Sequence, residues 1–301
     1  MSKLLVTGAS GKLGKSAVTL LLANGVAPGD IIATTRDPSK LADLAAKGVD
    51  VRAADFDDPA SLSAAFAGAE RLALISTDAL DVPGKRLKQH QAAVNAAKAA
   101  GVKHIVYTSM PNPGPESRIT FAPDHRGTEE AIKASGLTYT ILRNSWYNEN
   151  LFMSLPSALQ SGKWFTSTNG GRLAYIAHVD CAAALAAALA SDNTSSEVLT
   201  MTGPQSLSYA EIAALASEAT GKPIEVINLT DDQLAEGMKA AGVPEFMLPF
   251  MLGIEANVRE GHFDLVTDDF EKLTGKKPSP LKDFLVANKD ALLAAPAGGG
   301  H

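Results

Sequence analysis

Short apolar runs alternate with helix-spaced apolar positions along the first half of the chain. Leu4-Leu5-Val6 is a continuous apolar run closed by Gly8, the pattern of a strand buried on both faces. Leu13, Ala17, Leu20 and Leu21 then recur at helical spacing. Ile31-Ile32-Ala33 predicts a second strand and Ser39 to Lys47 a helix. Val49 and Val51 bracket a third strand, and Pro59 stands where a helix would begin. Leu72 to Ile75 reads as a fourth strand. An alanine-rich helix is expected from about Gly84 to Ala100, stopping at Gly101. His104 to Tyr107, a helix from Asp124 to Ser135, and Tyr139 to Leu142 complete six strands and five helices.

That alternation predicts an α/β fold: a Rossmann-type, doubly wound parallel sheet, with ligands at the carboxyl ends of the strands. Beyond Asn144 the rhythm breaks into helices, short strands and polar loops. The expected division is a dinucleotide-binding domain over 1–144, a smaller, mostly helical substrate lobe over 145–293 that is integrated with it, and a flexible tail over 294–301.

The turn after the first strand carries three glycines, Gly8, Gly11 and Gly14, within Thr7-Gly8-Ala9-Ser10-Gly11-Lys12-Leu13-Gly14. In this context the first glycine permits a tight turn and the second lets a pyrophosphate approach the backbone. The third lets the helix lie close to the sheet, with its N-terminal N–H groups facing the phosphate. An NAD site would place an acidic residue at the end of the second strand. Here Thr34 and Thr35 hold that position and Arg36 follows, with Lys40 one turn on. A guanidinium can grip a 2′-phosphate through two parallel hydrogen bonds, so NADP(H), with NADPH preferred over NADH, is the expected cofactor. Asp37 would restore NAD binding if the loop bent differently. Asp55 and Phe56 are placed to flank the adenine, or Asp55 to cap a turn. Ser76 and Thr77 are placed to line the nicotinamide ribose, or to serve as ordinary turn formers.

The bulk numbers narrow the class. A net charge of −6 over 301 residues argues against nucleic acid as a partner. No run approaches the roughly 20 apolar residues of a membrane span, and the start lacks a signal-peptide h-region, so a cytoplasmic protein is expected. The single cysteine, Cys181, allows no intrachain disulfide and reads as buried and inert. The histidines form no ligand-spaced pair, so no metal is expected. Asp180 reads as a helix N-cap. The loop Met110 to Pro115 reads as a lid or a stiff connection, and Phe246 to Met251 as a cleft cap or a subunit contact. The sequence leaves room for a homodimer without requiring one.

The segments TGASGKLG, TTRDPSK and ADFDDP resemble the atypical short-chain dehydrogenase/reductase superfamily, in particular its NmrA-like branch. His125-Arg126-Gly127-Thr128-Glu129 resembles the H-x-x-T-E segment of that branch's bacterial NAD(P)H:quinone oxidoreductases. Leu142 to Asn150 resembles their L-R-N-G-W-Y-x-E-N segment, with Ser145 in place of glycine. Triphenylmethane-dye reductases belong to the same branch. The resemblance implies that Gly8, Ala9, Ser10, Gly11, Lys12 and Leu13 hold the cofactor. It assigns the same role to Arg36, Ser76, Thr77 and the strand end from Ile141 through Asn144 to Trp146. It further implies that Asn144, Trp146 and Tyr147 border a substrate cleft.

The superfamily's usual Y-x-x-x-K pair is missing. By spacing, Phe121 falls at the tyrosine position and His125 at the lysine position. Phenylalanine has no proton to donate. Ketone reduction leaves an alkoxide that needs a positioned acid. Quinone reduction leaves an anion with basicity near that of a phenolate, pKa about 10, which water can protonate. His125 is therefore the candidate for positioning ribose or acceptor oxygen, with a weak acid role, and Glu129 either orients it or is a surface charge. Trp146 and Tyr147 are expected to stack on a flat acceptor or to be core aromatics. The favoured function is a flavin-free, NADPH-dependent reductase of a small quinone-like acceptor. The alternatives are a reductase of cationic dyes or activated alkenes, and an NADP-sensing regulatory protein without turnover.

Overall fold

The computed structural model describes residues 3–294. The elements of the first half run β1 (Leu4–Val6), α1 (Lys12–Ala23), β2 (Ile31–Thr35), α2 (Ala42–Ala45), β3 (Asp50–Ala53), α3 (Pro59–Phe66) and β4 (Arg71–Leu74). They continue with α4 (Lys85–Ala99), β5 (His104–Ser109), α5 (Ala122–Ser135) and β6 (Thr138–Asn144). The second half contributes α6 (Leu155–Ser161), β7 (Lys163–Thr166), β8 (Arg172–Leu173), α7 (His178–Ala190), β9 (Glu197–Met201), β10 (Leu207–Ser208) and α8 (Tyr209–Thr220). It ends with β11 (Glu225–Asn228), α9 (Asp231–Ala240), α10 (Leu248–Arg259), α11 (Asp269–Thr274), α12 (Leu281–Ala287) and α13 (Lys289–Leu293).

Seven strands form one parallel sheet in the order β3-β2-β1-β4-β5-β6-β9. The expected Rossmann-type fold is thus observed, with its reversal of strand order between β1 and β4. Apolar residues fill both faces. One face packs Leu13, Ala17, Val18 and Leu21 of α1 against the small side chains of α7. The other packs Leu62 and Phe66 of α3, Ala93 and Ala97 of α4, and Ile132 of α5.

Two expectations about elements change. The helix expected from Ser39 to Lys47 is a 3₁₀ turn, Pro38–Leu41, followed by the four-residue α2. Asp37 accounts for this: its carboxylate accepts the Ser39 N–H at 3.1 Å and fixes a tight turn. The seventh strand, β9, was not anticipated. It is a half-exposed edge strand and lacks the continuous apolar run of its neighbours. Residues 178–201 therefore return to the sheet, as α7 and β9, so the sheet is not contained within 1–144.

Arg71, buried at the start of β4, ties this return in place by donating to the Leu189, Ala188 and Asn193 carbonyls at 2.9, 3.0 and 2.9 Å. Its charge sits at the favourable, negative end of α7. The rest of the second half forms its own core around Trp164, Tyr209 and Phe263, with two small two-stranded sheets. Ala294 is the last described residue, so 295–301 of the expected tail lie outside the described residues. Among the described residues no helix is long and apolar enough to cross a membrane, and no cluster of His, Cys, Asp or Glu could hold a metal ion.

Candidate active site

A cleft of about 770 Å³ opens at the carboxyl ends of β1 to β4. Its floor is the glycine turn. Gly8 has φ +58°, a conformation L side chains rarely adopt, and a Cβ on Gly14 would stand 2.4 Å from the Gly8 oxygen and 2.8 Å from the Ala9 Cα. The turn is sewn to β2 by the Ala9 N–H to Thr34 O bond at 2.9 Å and by Ser10 Oγ and Thr35 Oγ1 at 2.9 Å.

Gly8, Ser10, Gly11, Lys12, Leu13, Arg36, Asp55, Phe56, Ser76 and Thr77 all line this cleft. Ala9 does not: its side chain is buried in the core and only its backbone serves the turn. Ile141 is likewise a core residue, and Lys40 is exposed away from the cleft wall. The Asp37 carboxylate is spent on its own turn, accepting from the Ser39 N–H and Oγ, and Asp37 does not line the cleft. Among the described residues Arg36 makes no hydrogen bond or ion pair. Asp55 does two jobs, facing the cleft and accepting the Asp57 N–H at 3.0 Å.

The deeper wall is a relay of side chains. The Thr77 N–H donates to His90 Nε2 at 3.0 Å, which leaves the ring proton on Nδ1 facing Thr128 Oγ1 at 2.9 Å. Thr77 Oγ1 donates to Gln89, and Gln89 to Asp57, both at 2.8 Å. Burial, helped by the nearby Arg86 charge, pushes the His90 pKa down to about 3, so the ring is neutral.

The H-x-x-T-E segment locks α5 to three neighbours. His125 Nδ1 and Tyr107 Oη lie 2.9 Å apart, Thr128 meets His90, and Glu129 accepts from Ser109 at 2.8 Å and from Arg143 at 2.9 and 2.7 Å. Glu129 is thus neither a surface charge nor a partner of His125. Burial raises its pKa, but the bonds from Arg143 and Ser109 and the charges of Arg143 and Lys133 outweigh this and hold it below the ordinary range. His125 is buried behind the Phe121 ring, centroids 5.7 Å apart, and does not line the cleft. Burial first, then Arg86 and His90, hold it neutral.

The segment after β6 is a clasp. Trp146 and Asn148 bond to both sides of Ile176, and the Glu149 carboxylate accepts the first N–H of α7, from His178, at 3.2 Å. This is an anion at a helix N-terminus. The clasp sets Tyr147 against His178, ring centroids 4.3 Å apart, and both line the cleft. Asn144 is buried and donates to Tyr147 Oη at 3.3 Å rather than facing the cleft. Trp146, unlike Tyr147, does not line the cleft: it joins Phe250, Phe263 and, through Phe250, Phe121 in an aromatic group packed on the second-half core. Ser145 fits in the place of glycine, buried, with its hydroxyl unpartnered among the described residues. Asp180 is not the cap of α7, which starts after Ala177; its carboxylate instead accepts from Ser279 N–H at 2.8 Å.

Sequence reasoning missed His178, Lys85 and Gln89 on the cleft wall. His178 carried no signal, since its place depends on the bridge between Tyr147 and Ile176. Lys85 and Gln89 lie on the same face of α4, one turn apart, beside the loop that ends with Gly84 at φ +74°.

The chain is similar in sequence and fold to known proteins. The chain is 34% identical to quinone oxidoreductase 2 of Escherichia coli strain K12 over 278 residues, 92% of this chain and 96% of that protein. It is 29% identical to the NAD(P)H azoreductase of Xenophilus azovorans, over 97% of this chain and all of that one. Among solved structures, the E. coli NADPH-dependent quinone oxidoreductase complexed with NADPH superposes with a TM-score of 0.88 at 33% identity, covering 94% of this chain and 98% of the other. The Citrobacter sp. triphenylmethane reductase complexed with NADP(H) superposes with a TM-score of 0.86 at 33% identity, covering 96% and 100%. The NmrA-like family model matches residues 1–283, and the chain belongs to that family.

Proposed function

We propose that this NmrA-like oxidoreductase uses NADPH in preference to NADH and reduces quinone-like, electron-poor acceptors directly, without flavin. The observation that carries the reading is the single continuous cleft that runs from Arg36 at its outer end, over the glycine turn, to Tyr147 and His178 at its inner end. The cradle fits a dinucleotide: nothing stands within 4 Å of where a Gly8 Cβ would be, α1 begins there with free N–H groups, and Arg36 makes no side-chain hydrogen bond or close ion pair among the described residues, the Asp57 charge acting on it only from a distance. Arg36 and Lys12 would take the phosphates, Phe56 the adenine face, and Ser76 and Thr77 the ribose next to the nicotinamide. A bound, reduced dinucleotide supplies a hydride.

The protein's own part is orientation and exclusion of water. Phe121, Trp146 and Phe250 offer flat apolar surface beside the inner end. His125, neutral and braced by Tyr107, supports Phe121 from behind; we assign it a positioning role. Phe121 has no proton to donate, which suits an acceptor whose product anion is stable enough to be protonated by water.

Purified protein mixed with NADPH and 1,4-benzoquinone should accelerate loss of reduced-cofactor absorbance over the blank. Tight NADPH binding with no acceleration for quinones, dyes or enones would replace this reading with that of a cofactor sensor.

A further inference from the structure

Helix α4 buries a charge that the fold does not use. Arg86 is 6% exposed, and among the described residues its Nε and Nη1 have no hydrogen-bond partner. Buried polar groups are nearly always partnered, and a buried cation without an anion is among the least favourable arrangements a core can hold. The Cζ stands 5.1 Å from the centroid of the Phe121 ring, which gives it a cation–π contact and no hydrogen bond.

The position is informative. Its α4 neighbours Lys85 and Gln89 line the cleft, and so do Asp78 and Tyr147, which lie within its electrostatic reach. The groups facing it are Asp78 after β4, His90 on α4 itself, Tyr107 on β5, Asp124 and His125 on α5, and Tyr147 after β6. None of these acids forms an ion pair with it among the described residues, and both histidines are neutral. The guanidinium does not itself line the cleft: it lies buried against the Phe121 ring, directly behind the inner-end residues Lys85, Gln89, Asp78 and Tyr147.

We propose that Arg86 is an oxyanion-holding residue for the acceptor and a selector of its charge, favouring anionic and neutral acceptors over cationic ones. This rests on the reductase reading of the cleft. In the step concerned the quinone gains a hydride, the reduced nicotinamide is oxidised, and one quinone oxygen becomes a phenolate while water supplies the remaining proton. Arg86 gives up no proton. It sets a fixed positive charge, on a guanidinium with unpartnered N–H groups, behind the wall that the charged oxygen would meet. A positive charge thus does at Phe121's side what a proton donor does elsewhere in the superfamily.

The first test needs no variant. With NADP⁺ present, wild-type protein should bind p-nitrophenol as its coloured anion and lower its apparent pKa by about one unit or more. Arg86→Met should abolish that shift. It should also reduce turnover of a sulfonated naphthoquinone roughly a hundredfold, menadione less, and a cationic triphenylmethane dye not at all. Because the variant removes an unpaired buried charge, it should keep NADPH affinity and melt at an equal or higher temperature. Lower melting temperatures for both Arg86→Met and Arg86→Lys would mark the residue as structural and overturn the proposal, as would an unshifted p-nitrophenol titration. The two readings fail separately. Quinone reduction untouched by Arg86→Met refutes the anion site alone, whereas an Arg86-dependent p-nitrophenolate shift without turnover of any acceptor refutes the reductase alone.

Discussion

At the outer end of the cleft, the atoms offered to a ligand are backbone N–H groups of one turn and exposed side chains such as Lys12 and Arg36. At the inner end they belong to side chains brought by the segment after β4, the start of α4, the segment after β6 and the start of α7, several of them half or wholly buried. The outer end needs little support, because a glycine turn and a helix start are local structures. The inner end exists only because Glu129, Glu149 and His90 pin distant elements together. A ligand common to many proteins can be held by local backbone, whereas a particular acceptor has to be met by tertiary structure.

That contrast can be attacked from both sides. The heaviest effect is expected at Gly14. An added methyl would collide with the backbone of Gly8 and Ala9, so Gly14→Ala should destabilise by about 3 kcal/mol and abolish NADPH binding. Melting temperature and a fluorescence titration of the cofactor would check both, and a variant that binds normally would show that the turn tolerates the shift.

At the inner end, Arg143→Met leaves the buried Glu129 carboxylate without its bidentate partner and should lower stability by about 3 kcal/mol in denaturant unfolding. The pH sign follows from the depressed pKa of Glu129. Its contribution is present above its unfolded value, and is lost as pH falls through the lower, folded value. The variant's acid limb below about pH 4.5 should therefore be flatter than the wild type's.

Milder acid should act through the buried histidines. His90, with a pKa of about 3, His104, at about 4, and the still more deeply buried His125 are all depressed, burial being the first cause of each. Their stability is present above the unfolded value near 6.5. Each group takes away about 1.4 kcal/mol per pH unit as the solution falls below it. Two of the three stand behind the inner wall, His90 holding Thr77 and His125 backing Phe121, so acceptor turnover should fail before NADPH binding between roughly pH 6.5 and 5. Equal unfolding free energies at pH 7 and pH 5.5 would contradict this.

The smallest effect is expected at Arg36. Arg36→Ala should leave stability unchanged, weaken NADPH roughly 10- to 100-fold and leave NADH nearly as before. Equal losses for the two cofactors, measured by titration, would remove its role at the 2′-phosphate.

The same contrast explains what could be read from sequence. Most of the lining of the outer end was legible, because it follows from a glycine, a strand end or a helix start only a few positions away, although Ala9 and Lys40, expected there, do not line the cleft. At the inner end the segments were legible but their jobs were not. Glu129 and Glu149 look like surface charges in sequence, and only the fold shows one buried against Arg143 and the other capping α7. His125 was singled out by spacing, yet it lies behind Phe121, since the register of α5 turns it toward Tyr107. Arg86 gave no signal, because an arginine on a polar helix is ordinarily solvated and its burial depends on Phe121 arriving from α5. β9 was missed because an edge strand with one exposed face lacks the apolar run that marked the others.

Direct hydride transfer from NADPH to a quinone is tested most plainly in a single turnover. Flavin-free protein loaded with NADPH carrying deuterium at the transferable position of the nicotinamide, then mixed with 1,4-benzoquinone, should lose reduced-cofactor absorbance in one phase, more slowly than with ordinary NADPH. A rate equal to the protein-free blank, or activity that appears only after flavin is added, would contradict it.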